Sequence, residues 1–353
     1  MDKFTASALF AILFIIATWA SNYSRNRQLS VLAFVMFLLA LFVGTREVSA
    51  WSDTLVYKIA FSETNPLGSF SFSDRVLGYN EKGFMLLGAI VKVFTNSFTV
   101  YLVFIASLTY LALYTDLKKY CIFPLIGLCV YLARFMAGRE MVQIRSALAI
   151  PIIIWGFQYV RKNEYWKCFL TILVAYFFHT SAIIALPMLL FNKFKLSKGQ
   201  IYLGLIISFI VAGAFGGVIR NFVSNSDFIN EMATSYVKEG SEKAFSNDLT
   251  NPVIYYQTLI LVFYTIFEKR LSAYSSYYYI IRNAYFYSTV LLIVLCQYAV
   301  LAARTSTIFA TLEMLMIPIA LLSFSKKDRW LPCIIVGVAY TVLFYLNWAP
   351  HYN

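Results

Sequence analysis

The chain of 353 residues is poor in charge and lacks the short motifs of common soluble enzymes. Only 13% of its residues are Asp, Glu, Lys or Arg, and its mean hydropathy is +0.70. A soluble chain has about 25% charged residues. There is no Gly-rich phosphate loop and no Gly-x-Ser-x-Gly elbow, which argues against P-loop and serine-hydrolase chemistry. The low share of charged residues favours a chain that is surrounded largely by lipid.

Metal-binding patterns are also missing. The chain has two histidines, His179 and His351, and five cysteines that form no Cys-x-x-Cys pair. Since no dense carboxylate cluster accompanies them, the sequence offers no ligand set for zinc or a similar metal, and we expect no metal and no cofactor. The cysteines lie in apolar stretches and are expected to be small buried hydrophobic residues.

Long apolar runs alternate with short basic clusters. Six clusters hold 15 of the 29 Lys and Arg against four acidic residues, which is +11 of the net +12 charge. This pattern is typical of the cytoplasmic loops of a polytopic membrane protein. It argues against nucleic-acid binding, which needs basic residues on one continuous face. The clusters are Arg25/Arg27, Lys118/Lys119, Arg161/Lys162/Lys167, Lys193/Lys195/Lys198, Lys269/Arg270 and Lys326/Lys327/Arg329.

The apolar runs predict an all-α fold of about 12 transmembrane helices with both ends outside, in a single integral membrane domain over residues 1–353. Two larger periplasmic loops are predicted, at about residues 46–97 and 220–251. The clearest spans are Phe4–Ala20, Leu29–Val43, Phe98–Tyr114, Cys121–Ala133, Ile144–Val160, Ile201–Ile219, Val253–Phe267, Ala284–Leu301, Ser306–Phe324 and Leu331–Trp348.

Two segments do not fit a simple alternation of spans. Glu81–Phe94 is short and contains Lys92, so we expect an interfacial or re-entrant amphipathic helix. Cys168–Phe191 is interrupted at His179, and one continuous span there would place a basic cluster on the wrong side. Two short helices that meet at His179, as a possible re-entrant hairpin, keep both clusters inside. The histidine would then lie at the bottom of an outward-facing cavity.

Charged residues outside the six clusters are costly near the membrane unless they serve a site or pair with each other. Arginines offer fixed forks that suit pyrophosphate oxygens, although each of them could instead extend its charged end to the interface. His179 could be a proton shuttle or a satisfied core histidine. Asp53 could accept a proton, cap the helix that follows it, or pair with Arg46.

Five motifs follow one another along the chain: Arg46-x6-Asp53-Thr54-x2-Tyr57-x3-Phe61, Glu81-x-Gly83-Phe84, Ile144-Arg145-x2-Leu148-Ala149, Phe178-His179-x-Ser181-Ala182, and Arg304 at the opening of a late span. Together they resemble the EpsG-like family of polysaccharide polymerases, which is related to the Wzy-type O-antigen polymerases. The resemblance covers roughly residues 30 to 325. Arg139-Glu140-Met141 departs from it, because an Asn is expected near the Ile-Arg motif.

The resemblance implies a membrane glycosyltransferase of the bacterial inner membrane that acts on its periplasmic face and needs no metal. It would move a growing glycan from undecaprenyl pyrophosphate to a new lipid-linked repeat unit, as in O-antigen, lipopolysaccharide and other surface polysaccharide biosynthesis. The pyrophosphates would be bound by Arg145 and Arg304, with Arg46 and Arg139 assisting.

The remaining site residues follow from the same resemblance. His179 or Asp53 would take the proton of the acceptor hydroxyl, Glu81 would position the acceptor or an arginine, and Tyr57 would contribute to the substrate site. The partner would be the lipid-linked oligosaccharide in the membrane. Whether a chain-length regulator or a flippase also binds is left open.

Three other functions compete with polymerisation. A flippase for lipid-linked oligosaccharides would share the spans and the intramembrane charges, but transporters commonly contain internal repeats and none is evident here. A membrane O-acetyltransferase would share the lone histidine, but the basic inner loops are too short to build a site for a cytoplasmic acyl donor. An O-antigen ligase differs from a polymerase only in its acceptor.

Overall fold

The computed structural model describes residues 1–74, 76, 81–224 and 249–349. These residues form helices joined by turns, so the predicted all-α fold is confirmed. A π-helical turn occupies Leu132–Met136, and 3₁₀ helices occupy Thr180–Leu190 and Leu321–Ser323. The α-helices are α1 Lys3–Ala20, α2 Arg25–Gly44, α3 Thr54–Glu63, α4 Lys82–Val91, α5 Phe98–Tyr120, α6 Pro124–Tyr131, α7 Ile144–Trp155, α8 Phe157–Arg161, α9 Tyr165–Phe178, α10 Lys198–Ser224, α11 Pro252–Ile266, α12 Glu268–Leu271, α13 Tyr278–Val294, α14 Ala299–Ala310, α15 Glu313–Ala320 and α16 Trp330–Asn347.

The protein is a membrane protein by the length and apolar character of its helices. Within the described part of the chain, α1, α2, α5 and α16 are each long and apolar enough to cross a membrane. Residues 301–323 add a fifth span if their two helices form one broken crossing. Several shorter apolar helices accompany them, and the count of about 12 spans stays a prediction. Most of the predicted outer loop at 220–251, and His351, lie outside the described residues.

Two predicted spans are interrupted in the structure. The predicted span Ala284–Leu301 contains a break, since α13 ends at Val294 and α14 begins at Ala299. The predicted span Ser306–Phe324 is likewise interrupted between α14 and α15. The turn between α13 and α14 contains one amide side chain, Gln297, and its backbone bonds are local, such as Tyr298 N–H to the Leu295 carbonyl at 2.8 Å. Hydropathy cannot detect so short and mainly apolar a turn, because it satisfies its own backbone groups.

The two unusual segments contain the predicted short helix and the predicted break, while their placement in the membrane stays a prediction. Glu81–Phe94 contains the short helix α4, and the run Cys168–Phe191 is divided at His179, where α9 ends and a 3₁₀ helix begins at Thr180. The backbone continues through this break with hydrogen bonds on both sides, from His179 N–H to the Ala175 carbonyl at 2.9 Å and from Ala182 N–H to the His179 carbonyl at 3.0 Å. The histidine therefore has a defined position between two helices.

The chain divides into two compact units. The first contains Met1–Gly156, Leu170–Ala182 and Glu313–Asn353, and the second contains Phe157–Phe169 and Ile183–Leu312. The predicted single membrane domain stays a prediction. All five cysteines are buried and free, as expected from their apolar surroundings.

An aromatic cluster of the first unit holds α3 and α4 against α5. The rings of Phe61 and Tyr101 stack with centroids 4.6 Å apart, and the rings of Tyr57 and Phe84 lie 5.7 Å apart. At the other end of α4, the Lys92 ammonium donates to the carbonyls at the C-terminus of α3, at distances of 2.6 and 2.9 Å. Lys92 thus caps the C-terminus of α3, which explains a lysine directly after the apolar end of α4. The packing fixes α3 and α4 relative to the long helix.

A separate polar core stabilises the second unit. The fully buried Arg282 on α13 donates to the Glu268 carboxylate at 2.9 Å. Next to it, the Asn283 amide donates to the Phe191 carbonyl at 2.9 Å, and the rings of Tyr264 and Tyr278 stack with centroids 4.6 Å apart. These contacts join α11, α12 and α13 to the chain segment that precedes α10.

Candidate active site

Three residues predicted from separate motifs meet in the first unit: Glu81, Arg145 and His179, here called the Glu81 triad. The Arg145 Nη1 lies 2.6 Å from Glu81 Oε2, and the His179 Nδ1 lies 3.5 Å from Glu81 Oε1. One carboxylate thus faces a guanidinium with one oxygen and an imidazole with the other. The Arg145 and His179 side chains retain 17% and 14% of their exposure, whereas Glu81 retains 7%. The triad is buried on the carboxylate side and partly open on the other.

Local backbone structure presents each member of the triad. Glu81 is the residue immediately before α4, Arg145 is the second residue of α7, and His179 occupies the break after α9. Gly83 allows the close approach of α4 to this break, because a Cβ at Gly83 would lie 2.7 Å from the Phe177 carbonyl oxygen. Any larger residue would push the two segments apart. This is the structural reason for a glycine in the Glu-x-Gly-Phe motif.

Tyr57 completes the surroundings of the triad. It is almost fully buried on α3, its hydroxyl hydrogen bonds with the Arg145 guanidinium, and its ring centroid lies 6.0 Å from the Arg145 Cζ. Burial opposes ionisation of Glu81, but the hydrogen bond with His179 and the charge of Arg145 outweigh it and lower the pKa of Glu81 to about 2. Glu81 is therefore a permanent anion, better suited to orient neighbouring groups than to exchange protons near neutral pH.

A second group of charges is more deeply buried in the same unit. It consists of Arg46, Tyr131, Arg139 and Glu140, here called the Glu140 cluster. The Tyr131 hydroxyl donates to Glu140 Oε1, and Tyr131 also hydrogen bonds with Arg139. The Arg139 guanidinium lies 4.1 Å from the centroid of the Phe135 ring. Glu140 and Arg139 retain only 2% and 3% of their exposure, whereas Arg46 is half-buried.

Arg46 reaches this cluster from the turn after α2. Its Nη1 donates to the Val43 carbonyl at 2.9 Å, and its Nε donates to Thr54 Oγ1 at 3.3 Å. In the described part of the chain its Nη2 and Glu140 Oε2 have no hydrogen-bond partner, and both residues line one small cavity beside α5. Burial raises the pKa of Glu140 to about 7, although Tyr131 and Arg139 partly offset this. Unlike Glu81, this carboxyl group can hold a proton near neutral pH.

Sequence reasoning named Arg46 and Arg139 but did not assign a role to Glu140. Glu140 stood out only as part of a departure from the expected motif. The available signal was the pair of adjacent opposite charges, Arg139 and Glu140, in a stretch otherwise poor in charge, because such charges near a membrane are usually paired.

Two further predicted residues belong to neither of these groups. Asp53 precedes α3, but its side chain makes no capping bond; its carboxylate accepts a hydrogen bond from Ser52 Oγ at 3.4 Å. In the described part of the chain it pairs neither with Arg46 nor with the Glu81 triad, so both structural explanations considered for it, a cap and an ion pair, are wrong. Arg304 lies on α14 in the second unit and is half-buried. Their predicted roles stay predictions.

The chemistry that these residues offer is that of charges and protons. Across residues 1–74, 76, 81–224 and 249–349, no three His, Cys, Asp or Glu side chains lie close enough together to hold a metal ion. The Glu81 triad combines an arginine fork, which suits phosphate oxygens, with an imidazole whose Nδ1 faces a carboxylate. Such pairing fixes the orientation of an imidazole and leaves its Nε2 to accept a proton.

These features define a helical membrane protein with a paired, partly open ionic site. The model of the EpsG family matches residues 29–353, which is most of the chain, and the protein belongs to the EpsG family. Members of this family are generally glycosyltransferase-like polymerases of polysaccharides. No curated protein and no solved structure matches the chain.

Proposed function

We propose that this protein polymerises a surface polysaccharide of the O-antigen type. It transfers the growing glycan from undecaprenyl pyrophosphate to the terminal sugar of a new lipid-linked repeat unit. The observation that carries the proposal is the Glu81 triad, in which residues from three family-like motifs meet in one partly open site. Membership of the EpsG family supports the same reaction class.

In this reaction an acceptor hydroxyl oxygen attacks the anomeric carbon of the growing glycan. The bond from that carbon to the pyrophosphate oxygen breaks, undecaprenyl pyrophosphate leaves with the bonding electron pair, and the hydroxyl proton passes to a base. Arg145 binds the pyrophosphate and stabilises the charge that develops on it, because a guanidinium fork matches phosphate oxygens. The predicted assistance from Arg46 belongs to the same proposal, whereas Arg139 is almost fully buried and is assigned a structural role. The predicted role of Arg304, in the second unit, stays a prediction.

His179 is preferred over Asp53 as the base. The 3.5 Å approach of its Nδ1 to Glu81 orients the ring, and a histidine titrates near neutral pH, where a general base is most effective. Glu81 remains charged and holds both His179 and Arg145. Tyr57 supports Arg145 from α3. The triad thereby places a proton acceptor beside a phosphate-binding group.

The site is proposed to face the periplasm from the inner membrane. The basic clusters stay in the cytoplasm under the positive-inside rule, which puts the turns carrying Arg46, Glu81 and His179 outside. Cysteine labelling tests this directly, because all five native cysteines are buried and give little background. His179→Cys should react with a membrane-impermeant maleimide added outside intact cells, and Lys327→Cys should react only after the membrane is opened. The opposite result would overturn the orientation.

The reaction itself is tested in a strain that lacks this gene. A polymerase predicts loss of long polymer and accumulation of single-repeat lipid-linked product on the outer side of the membrane, restored by the wild-type gene. Accumulation on the inner side would identify a flippase instead. Full-length polymer that stays on its lipid carrier would identify a ligase.

A further inference from the structure

A groove runs between the first and last helices of the first unit. It has a volume of about 740 Å³ and is lined from α1 by residues between Ala11 and Asn22 and from α16 by residues between Trp330 and Val342. The two helices are antiparallel, since the rings of Phe10 and Phe344 stack 4.7 Å apart and the Trp348 indole donates to the Met1 carbonyl at 3.2 Å. The groove therefore extends from the middle of both helices to the end where α1 stops and α16 starts.

The length of the groove matches one leaflet of a bilayer. Eleven helical residues rise about 17 Å, and half of a hydrocarbon layer is about 15 Å. The indoles of Trp19 and Trp330 lie at one end with 64% and 63% of their exposure retained, as expected of aromatic residues at a membrane interface. The other end of the groove thus lies near the bilayer centre.

The groove offers an apolar wall with few free polar groups. Its lining is mainly aliphatic and aromatic, and its two threonine hydroxyls are used within their own helices. Thr18 Oγ1 donates to the Phe14 carbonyl at 3.0 Å, and Thr341 Oγ1 donates to the Gly337 carbonyl at 2.8 Å. A ligand in the groove would meet hydrocarbon along almost its whole length, which suits an acyl chain.

Positive charge lies at the interfacial end. Lys326 and Lys327 are exposed just before Trp330, and Asp328, the acidic residue that follows them in the sequence, is bonded to Ser325. Arg329 Nε is buried and has no hydrogen-bond partner in the described part of the chain. Basic clusters next to a membrane helix attract anionic lipid headgroups. The cations would thus meet the phosphate of a phospholipid, the tryptophans its interfacial region, and the groove its acyl chain.

We propose that this groove binds one acyl chain of an anionic glycerophospholipid, whose phosphate lies against Lys326, Lys327 and Arg329. The site goes beyond the proposed polymerisation. Its cationic end belongs to a basic cluster assigned to the cytoplasmic side, so its ligand comes from the inner leaflet, whereas the polyprenyl pyrophosphates of the reaction are on the other side. The lipid fixes the pairing of the first and last helices.

Binding is measured on the full chain, purified in detergent and depleted of lipid. Phosphatidylglycerol is titrated in, and bound lipid is counted by native mass spectrometry with phosphatidylcholine as the neutral comparison. Lys326→Gln together with Lys327→Gln should weaken phosphatidylglycerol binding about 30-fold. The same double change at Lys193 and Lys195, which are also exposed, should leave it unchanged.

The groove is tested by filling it. Val338→Trp should weaken binding about tenfold or more, because displacing two buried CH₂ groups already has that effect. Ile335→Trp is the matched control, because Ile335 is equally exposed on the same helix but does not line the groove. Equal binding by these two variants would mean ordinary annular lipid and would overturn the proposal. So would displacement of phosphatidylglycerol by a polyprenyl phosphate, or equal binding of phosphatidylcholine.

Discussion

The Glu81 triad and the Glu140 cluster belong to the same unit and contain the same kinds of charges, yet they differ in exposure. Arg145 and His179 keep 17% and 14% of their exposure, whereas Arg139 and Glu140 keep 3% and 2%. A substrate can reach Arg145 and His179 but cannot reach Arg139 and Glu140 without movement of the protein. Paired charges in a membrane protein therefore identify a candidate site only when they also open to a surface.

The carboxyl groups of Glu81 and Glu140 also differ in their proton affinity. The pKa of Glu81 falls to about 2 because burial is outweighed by His179 and Arg145, and the pKa of Glu140 rises to about 7 because burial prevails over Tyr131 and Arg139. Glu81 organises cations at the opening, while Glu140 lies in an interior that favours its neutral form. We therefore expect changes at the triad to reduce catalysis and changes at Tyr131, Arg139 and Glu140 to leave catalysis largely intact.

The largest effect is expected for Arg145→Ala. This change removes the phosphate ligand and leaves Glu81 buried without its closest cation, and breaking a buried ion pair costs about 3–5 kcal/mol. Polymer formed per folded protein should fall at least about 1,000-fold, more than for the loss of one transition-state donor alone. The measurement is polymer length and amount on gels, normalised to folded protein from gel filtration.

The control for Arg145 is Arg139→Ala, which removes an arginine from the Glu140 cluster. It should reduce the amount of folded protein but leave polymer per folded protein within about threefold, since Arg139 is committed to Tyr131 and Phe135. An equal catalytic loss in both variants would erase the distinction between the two groups. It would instead support the predicted role of Arg139 at the pyrophosphates.

A smaller catalytic effect is expected for His179→Gln. Glutamine keeps a polar contact to Glu81 but cannot accept a proton, and loss of a general base lowers rates about 100-fold or more. The comparison variant is Tyr131→Phe in the buried Glu140 cluster, which should leave the amount of polymer per folded protein unchanged. The rate of the wild-type enzyme should fall on the acidic side of its pH profile, where the base becomes protonated, and this limb should vanish in His179→Gln. A variant that retains the full wild-type pH profile would exclude His179 as the base.

The pH dependence of stability should have opposite signs at the two carboxyl groups. For Glu140 the folded pKa of about 7 lies above the ordinary value of 4.5, so the folded state holds a proton that the unfolded state has lost. The unfolding free energy then falls as pH rises from about 4.5 through about 7, by roughly 3 kcal/mol. Glu140→Gln should abolish this fall, measured by thermal unfolding in detergent.

For Glu81 the folded pKa of about 2 lies below the ordinary 4.5. Its contribution to stability is complete above pH 4.5 and is lost as pH falls through about 2, so Glu81→Gln should lower stability at neutral pH, also by roughly 3 kcal/mol. If Glu140→Gln lowered the unfolding free energy at pH 7 as Glu81→Gln does, the ionised forms of both carboxyl groups would stabilise the fold, and the contrast between them would be wrong.

Much of this site could be predicted from the sequence, for identifiable reasons. The break at His179 followed from charge sidedness, because one continuous span could not keep both flanking basic clusters inside. Arg145 was recognised because an arginine without a local acidic neighbour opens a long apolar helix. Its actual partner, Glu81, lies 64 residues away, and a single sequence gives no distance between such segments. The contact depends on how α4 and α7 pack.

Two features could not be predicted from the sequence, because neither depends on a recognisable motif. The break between α13 and α14 consists of residues that hydropathy reads as part of a span. The importance of Glu140 depends on complete burial next to Tyr131, which is a property of packing. Asp53 shows the reverse case, because a residue type suited to capping makes no capping bond in this structure.

Asp53→Asn should have the smallest effect of the changes considered. The Asp53 carboxylate makes no capping bond and is absent from both charged groups, so its neutralisation should change polymer per folded protein by less than about threefold and stability by less than about 0.5 kcal/mol. The comparison is His179→Gln in the same strain and on the same gel. A loss of about 100-fold in Asp53→Asn, with His179→Gln near wild type, would transfer the proton-accepting role to Asp53. The reacting centre would then lie at the start of α3, and the opening beside Arg145 would serve only to bind phosphate.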